Sequence, residues 1–158
     1  MIKTTDLCDE YQSKVKICKT DFQVFGKKKD FYGPIATVKV KEDNVLVRQA
    51  LETEEAGTLI VVDGKSSNNC ALLGDQLASI IIERKLAGII IYGRIRDVAD
   101  INKMEVGIRA LGTMPVKSNK EGKGSRNVKL KFGEVDWIPG EYAYVDEDGI
   151  VLSKELLV

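Results

Sequence analysis

Two short runs without a polar interruption constrain this chain most. Thr58-Leu59-Ile60-Val61-Val62 and Ile89-Ile90-Ile91-Tyr92 are dominated by β-branched and aromatic residues and bounded by turn-forming sequence. A strand with no polar alternation must be covered on both faces, as in a parallel sheet with layers above and below it. Between the runs, about Ala71 to Lys85 carries Leu72, Leu73, Gln76, Leu77 and Ile80 in a roughly helical stripe, and Gly88 sits where that helix should end. Strand, helix and strand within 58–92 form a βαβ unit, so two parallel strands with a right-handed crossover are expected. The polar stretch Asp63 to Asn69 is loop chemistry.

The flanking sequence fits around that unit. Residues 5–13 read as a short amphipathic helix, capped by Thr5 or Asp6, with Leu7, Cys8 and Tyr11 on one face. Val15 to Lys19 and Phe31 to Val40 follow, and Ile35 to Val40 alternates as a strand does. Asn44 to Glu54 reads as a helix with Asn44 as its cap, and Val98 to Met104 as another after the loop Gly93 to Asp97. The last third changes character. Ala110-Leu111, Met114-Pro115-Val116, Val128 to Phe132, Val135 to Ile138, Glu141 to Asp146 and Gly149 to Leu152 are short β pieces. Gly133-Glu134, Pro139-Gly140 and Asp148-Gly149 mark turns between them. The expectation is one α/β domain over residues 1–158, with a β-rich C-terminal part.

Composition narrows the chemistry. Lys+Arg and Asp+Glu are each 24, so the basic excess of a nucleic-acid binder is missing. No apolar run approaches the roughly 18 residues of a membrane span, and the start is polar, which predicts a cytoplasmic protein. Three cysteines without CxxC spacing predict inert thiols. There is no histidine. Acid–base work therefore falls to carboxylates, Lys, Tyr or a metal-bound water, and any metal takes hard oxygen ligands, which favours Mg²⁺ or Mn²⁺.

Both βα turns carry unusual polar content, at the place where open α/β sheets gather ligands. The first leads into Gly74-Asp75-Gln76-Leu77, where free backbone N–H groups suit a carboxylate and Gly74 allows close approach. The second holds Arg96, which can grip a carboxylate, and Asp97, which offers oxygen to a divalent cation. From spacing alone, Asp97 serves equally well as a helix cap, Arg96 as a solvated surface residue, and Asp75 as a partner of the helix dipole. Gly64-Lys65-Ser66 and Gly122-Lys123-Gly124-Ser125 lack the upstream glycine of a P-loop, and no GxGxxG follows a strand, which argues against a nucleotide or S-adenosylmethionine site.

The segments Leu59 to Gly64, Ala71 to Asp75 and Gly88 to Val98 resemble the RraA family, which includes the 4-hydroxy-4-methyl-2-oxoglutarate aldolases. The likeness continues through Gly107 to Val116, Phe132 to Val135 and Tyr144 to Val151, with Leu7 to Tyr11 and Phe25-Gly26 at the start, so it covers nearly the whole chain. Its specific motif is Asp75, 20 intervening residues, then Arg96-Asp97. The resemblance implies a swivelling β/β/α domain and a ring-shaped homotrimer. It also implies that Gly74, Asp75, Gln76 and Leu77, with Arg96, bind a small α-keto acid. Asp97 would hold the metal, Arg96 would stabilise enolate charge, and Asp75 would act through water. Oxaloacetate decarboxylation is the expected side activity. Lys65-Ser66-Ser67 departs from the family's glycine-rich stretch, and the carboxylate that longer aldolases take from a neighbouring subunit has no assigned counterpart. Some members of the family instead inhibit ribonuclease E by protein contact, which is the alternative expectation.

Overall fold

In the computed structural model, which describes residues 2–158, both apolar runs are strands. In chain order the first half comprises α1 (Thr4–Glu10), β1 (Val15–Ile17), β2 (Gln23–Phe25), β3 (Phe31–Lys39), α2 (Val45–Thr53), β4 (Leu59–Asp63), β5 (Ala71–Leu73) and α3 (Asp75–Glu83). The second half comprises β6 (Gly88–Ile95), α4 (Val98–Ile101), β7 (Ile108–Thr113), β8 (Ser125–Arg126), β9 (Leu130–Phe132), β10 (Val135–Trp137), β11 (Tyr142–Asp146) and β12 (Gly149–Ser153).

β4 and β6 run parallel and adjacent, from Leu59 opposite Gly88 to Asp63 opposite Tyr92. Successive side chains of a strand point to opposite faces, and here both faces meet hydrocarbon. Ile60 and Val62, with Ile89 and Ile91, pack against Val47 and Leu51 of α2 and Leu77, Ala78 and Ile81 of α3. Leu59, Val61 and Ile90 turn the other way, onto Leu130, Trp137, Val145 and Leu152. Each such side chain taken fully out of water contributes roughly 1.5–3 kcal/mol. Helices, parallel strands and an antiparallel β layer thus stack as α, β and β, the swivelling architecture expected. The strand order is β1-β12-β11-β3-β4-β6-β7-β2, with β5 added to β6, β8 to β3, and β9–β10 as a separate hairpin. That hairpin turns on Gly133 and Glu134, both at positive φ, as a tight two-residue turn requires.

β3 joins the two β layers. Phe31 to Pro34 pair antiparallel with β11, whereas Ile35 to Lys39 pair parallel with β4. α1 lies outside this stack, where Leu7 packs with Ile2 and the fully buried Tyr144.

Several local expectations are corrected. The helix expected from Ala71 begins at Asp75, and Ala71–Leu73 is a strand paired with Arg94 and Ile95 of β6. Ala71 N–H also donates to the Val116 carbonyl (2.8 Å). A buried apolar triplet satisfies either periodicity, and its backbone partners decide. α3 closes before Gly88: Lys85 takes the left-handed conformation (φ 57°), while Leu86 N–H bonds Ile81 O and Lys85 N–H bonds Ile82 O, the double bond of a Schellman end. Gly88 instead starts β6, where a Cβ would fall 2.5 Å from the Phe31 ring. α1 is capped at Lys3, not Thr5 or Asp6, and without a side-chain bond. Asn44 occupies the α2 cap position, but the carboxylate of Asp43 receives the Val45 N–H. α4 ends at Ile101, and Met114 to Val116 form no strand.

Candidate functional site

Because β5 and β6 are parallel neighbours, the turns that follow them emerge side by side at their carboxyl ends. One turn is Gly74, leading into α3; the other is Arg96-Asp97, leading into α4. Arg96 N–H is anchored to the Leu73 carbonyl at 2.9 Å, which locks one turn to the other.

Asp97 has a left-handed backbone (φ 61°, ψ 36°), a conformation that Asp tolerates better than most residues. It stands at the cap position of α4, yet its side chain makes no capping bond there. Its Oδ2 accepts the backbone N–H of Asp75 at 3.1 Å, across the gap between the turns. The helix-cap role left open by the sequence is therefore not the one adopted. Gly74 explains how the carboxylate fits: an added Cβ would lie 2.5 Å from Asp97 Oδ2, 3.5 Å from Arg96 Cγ and 3.6 Å from Arg96 Nε. The glycine is extended (φ −128°, ψ −165°), so space, not backbone freedom, is what it supplies. Arg96 is half-buried and lies along Gly74, with Nη1 3.4 Å from the Pro115 carbonyl.

Asp75 is the first residue of α3, and its N–H is taken by Asp97. No acceptor within the chain reaches the N–H groups of Gln76 or Leu77 among the described residues. These donors at the positive end of a helix dipole open onto a cavity of about 440 Å³. Gly74, Asp75, Gln76, Leu77, Arg96 and Asp97 all line it, so every residue expected from the sequence is brought to one place.

The far wall was not anticipated. Asn44 stands just before α2 and Arg48 and Glu52 lie along it, while Lys117, Ser118 and Lys120 come from the segment after β7. Arg48 pairs with Glu52 at 3.5 Å, and Lys120 Nζ donates to Asn44 Oδ1 at 3.1 Å. With that ion pair set aside, Arg96, Lys117 and Lys120 face Asp75 and Asp97, a balance suited to an anion bound together with a cation. Lys65, Ser66 and Ser67 do not line the cavity, so the departure in that loop leaves its walls untouched.

A divalent metal here would draw on a small set of donors. Among the described residues no three His, Cys, Asp or Glu side chains cluster as ligands, which disfavours a closed all-protein cage. An ion that keeps most of its water and binds through one or two carboxylates and its substrate needs no such cage. Asp97 suits it: the residue is exposed, one oxygen is oriented by the Asp75 N–H, and the other accepts no hydrogen bond among the described residues. The residues present fit Mg²⁺ or Mn²⁺ held in this way.

No helix among the described residues is long and apolar enough to cross a membrane. Comparison with known proteins places the chain among relatives. The RraA-like family model, described as Aldolase/RraA, matches residues 4–152. A Bacillus anthracis protein provisionally named 4-hydroxy-4-methyl-2-oxoglutarate aldolase is 59% identical over 157 residues, covering 99% of both chains. A Geobacillus kaustophilus structure described as an S-adenosylmethionine:2-dimethylmenaquinone methyltransferase superposes with a TM-score of 0.98 at 57% identity, covering 99% of this chain and 97% of the other. The RNA-processing inhibitor RraA of Thermus thermophilus superposes with a TM-score of 0.95 at 40% identity, covering 100% and 96%.

Proposed function

The chain belongs to the RraA-like family, and from that premise we propose that it is a divalent-metal-dependent aldolase that splits 4-hydroxy-4-methyl-2-oxoglutarate into two molecules of pyruvate and decarboxylates oxaloacetate as a side reaction. The observation that carries this reading is the Asp97 carboxylate, fixed by the Asp75 N–H beside Arg96 and the free N–H groups of α3.

In this reading the substrate's 1-carboxylate sits on the Gln76 and Leu77 N–H groups, with Arg96 beside it. Asp97 holds the metal, Mg²⁺ first and Mn²⁺ second, which when bound supplies Lewis acidity toward the substrate's keto group. Asp75 holds a water that accepts the proton of the C4 hydroxyl. The C3–C4 bond then breaks, C4 becomes the keto carbon of one pyruvate, and the bonding electrons pass into the enolate of the other. Arg96 faces the charge gathering on that oxygen. Protonation at C3 completes the second pyruvate. With oxaloacetate the same bond breaks, CO₂ departs, and the same enolate remains.

The test is pyruvate release from both substrates, with Mg²⁺ and with EDTA, from wild type, Asp97→Ala and Arg96→Ala. Metal-dependent turnover lost in both variants is the expected result. Full activity in Arg96→Ala would sink the assignment. The likeness to the Thermus thermophilus inhibitor favours one competing reading, a homologue that binds and inhibits ribonuclease E. That reading expects capture of ribonuclease E with Asp97 replaced. A cytoplasmic homotrimer is proposed in either case.

A further inference from the structure

Three consecutive residues between β3 and α2 each send a side chain to a distant part of the chain. Glu42 Oε2 accepts from Ser67 Oγ at 2.6 Å and Asn69 Nδ2 at 2.8 Å. Asn44 donates to the Leu72 carbonyl at 3.2 Å and accepts from Lys120. Asp43 goes deepest, with 2% of its surface exposed. One of its oxygens accepts the Val45 N–H at 3.1 Å; the other accepts the Glu121 N–H at 2.8 Å and the Lys123 N–H at 3.3 Å. Burial pushes the Asp43 carboxyl up, but these backbone donors together outweigh it and hold the group below its ordinary value.

What Asp43 gathers is the far wall of the cavity. The segment 117–123 contains no apolar side chain, and only Ser118 in it is buried. Hydrophobic packing therefore cannot place it. Besides Asp43, it is tied by Asn119 N–H to Glu42 O (2.8 Å) and Asn44 N–H to Asn119 O (3.3 Å). Lys117, Ser118 and Lys120 line the cavity from this segment, and Asn44, Val45 and Arg48 line it from α2. The Asp43 carboxylate bonds the backbone of both sides.

We propose that Asp43 is a positioning residue for ligand binding: its buried carboxylate fixes segment 117–123 against the start of α2 and so builds the basic wall of the cavity. This deepens the aldolase reading and rests on it for the choice of substrate. Asp43 itself is absent from the cavity lining, so it governs affinity more than the chemical step.

The segment carries its own reporter, because trypsin cleaves after Lys117, Lys120 and Lys123. Asp43→Asn replaces an acceptor oxygen with an NH₂ group facing N–H donors. Tryptic cleavage within 117–123 should rise about tenfold while the emission of Trp137, buried in the β–β core, is unchanged. The KM for oxaloacetate should rise about fivefold or more, with kcat within about twofold. In the wild type, hydrogen exchange of the Glu121 and Lys123 amides should be slow although both side chains are exposed, a measurement that needs no variant. Unchanged trypsin resistance in a folded Asp43→Asn protein, a loosened wall with unchanged KM, or rapid exchange of both wild-type amides would each overturn the proposal. Proteolysis and exchange need no turnover, so an inactive wild type overturns the aldolase reading alone. The affinity arm then uses the dissociation constant of pyruvate with Mg²⁺, which Asp43→Asn must raise by the same factor.

Discussion

Replacing Gly74 with alanine adds one methyl group and tests the site's geometry directly. That methyl would sit 2.5 Å from Asp97 Oδ2. Ordinary contact needs about 3.5 Å, so the carboxylate must retreat by about 1 Å. Arg96 blocks part of the escape, with Cγ and Nε 3.5 and 3.6 Å from the same point. The 3.1 Å bond from the Asp75 N–H is the contact that gives way. Water replaces it at this exposed position, so stability should fall by only about 1 kcal/mol, a drop in Tm of about 2–4 °C. A displacement of about 1 Å in a catalytic group costs on the order of 10²-fold in rate. Gly74→Ala should therefore lose about 100-fold in Mg²⁺-dependent pyruvate release from oxaloacetate while remaining folded by circular dichroism. Wild-type activity in the folded variant would refute the claim that this glycine makes room for a working Asp97.

Two other features give independent checks. Lys85 holds a left-handed conformation at the end of α3, which costs a non-glycine residue on the order of 1 kcal/mol. Lys85→Gly should raise Tm by about 2–4 °C in a thermal melt, and a lower Tm would contradict that account. Asp146 receives the Thr4 N–H and hydroxyl at 2.7 Å each; burial raises its carboxyl, but these bonds prevail and hold it below its ordinary 3.8. A depressed carboxyl contributes stability that is present above about pH 4 and lost as pH falls through the lower folded value. The urea midpoint of wild type should fall below pH 4 more steeply than that of Asp146→Asn, and parallel curves would remove Asp146 from the explanation.

Much of the molecule was legible because burial leaves a simple imprint. β4 and β6 were recognisable since both their faces are covered, and the Gly133 and Asp148 turns since their residues suit tight turns. Ala71–Leu73 was misread because three buried apolar residues have no period of their own. Only their bonds to β6 and to Val116 make them a strand. At the site, Arg96-Asp97 stood out because it lies just beyond a strand, and Gly74 to Leu77 because the polar turn after β4 leads into them and Asp75 keeps the family's spacing to Arg96-Asp97. Asn44, Arg48, Lys117 and Lys120 reach the cavity from distant parts of the chain, and ordinary surface residues look the same in a sequence. The sole hint was a cationic segment free of apolar residues. The left-handed turn at Asp97 left no trace beyond the residue type that tolerates it.

A strand that changes partners halfway along makes the two β layers one mechanical unit. Slipping β3 by one residue would turn its side chains inside out against β11 and β4 at once. Neither layer can then melt while the other persists. Denaturation should proceed as one cooperative event, and refolding should wait on pairings between distant segments, in the millisecond-to-second range of such topologies. The cavity hangs on the carboxyl ends of β5 and β6, so its loops can adjust to a ligand without loosening the frame that carries them.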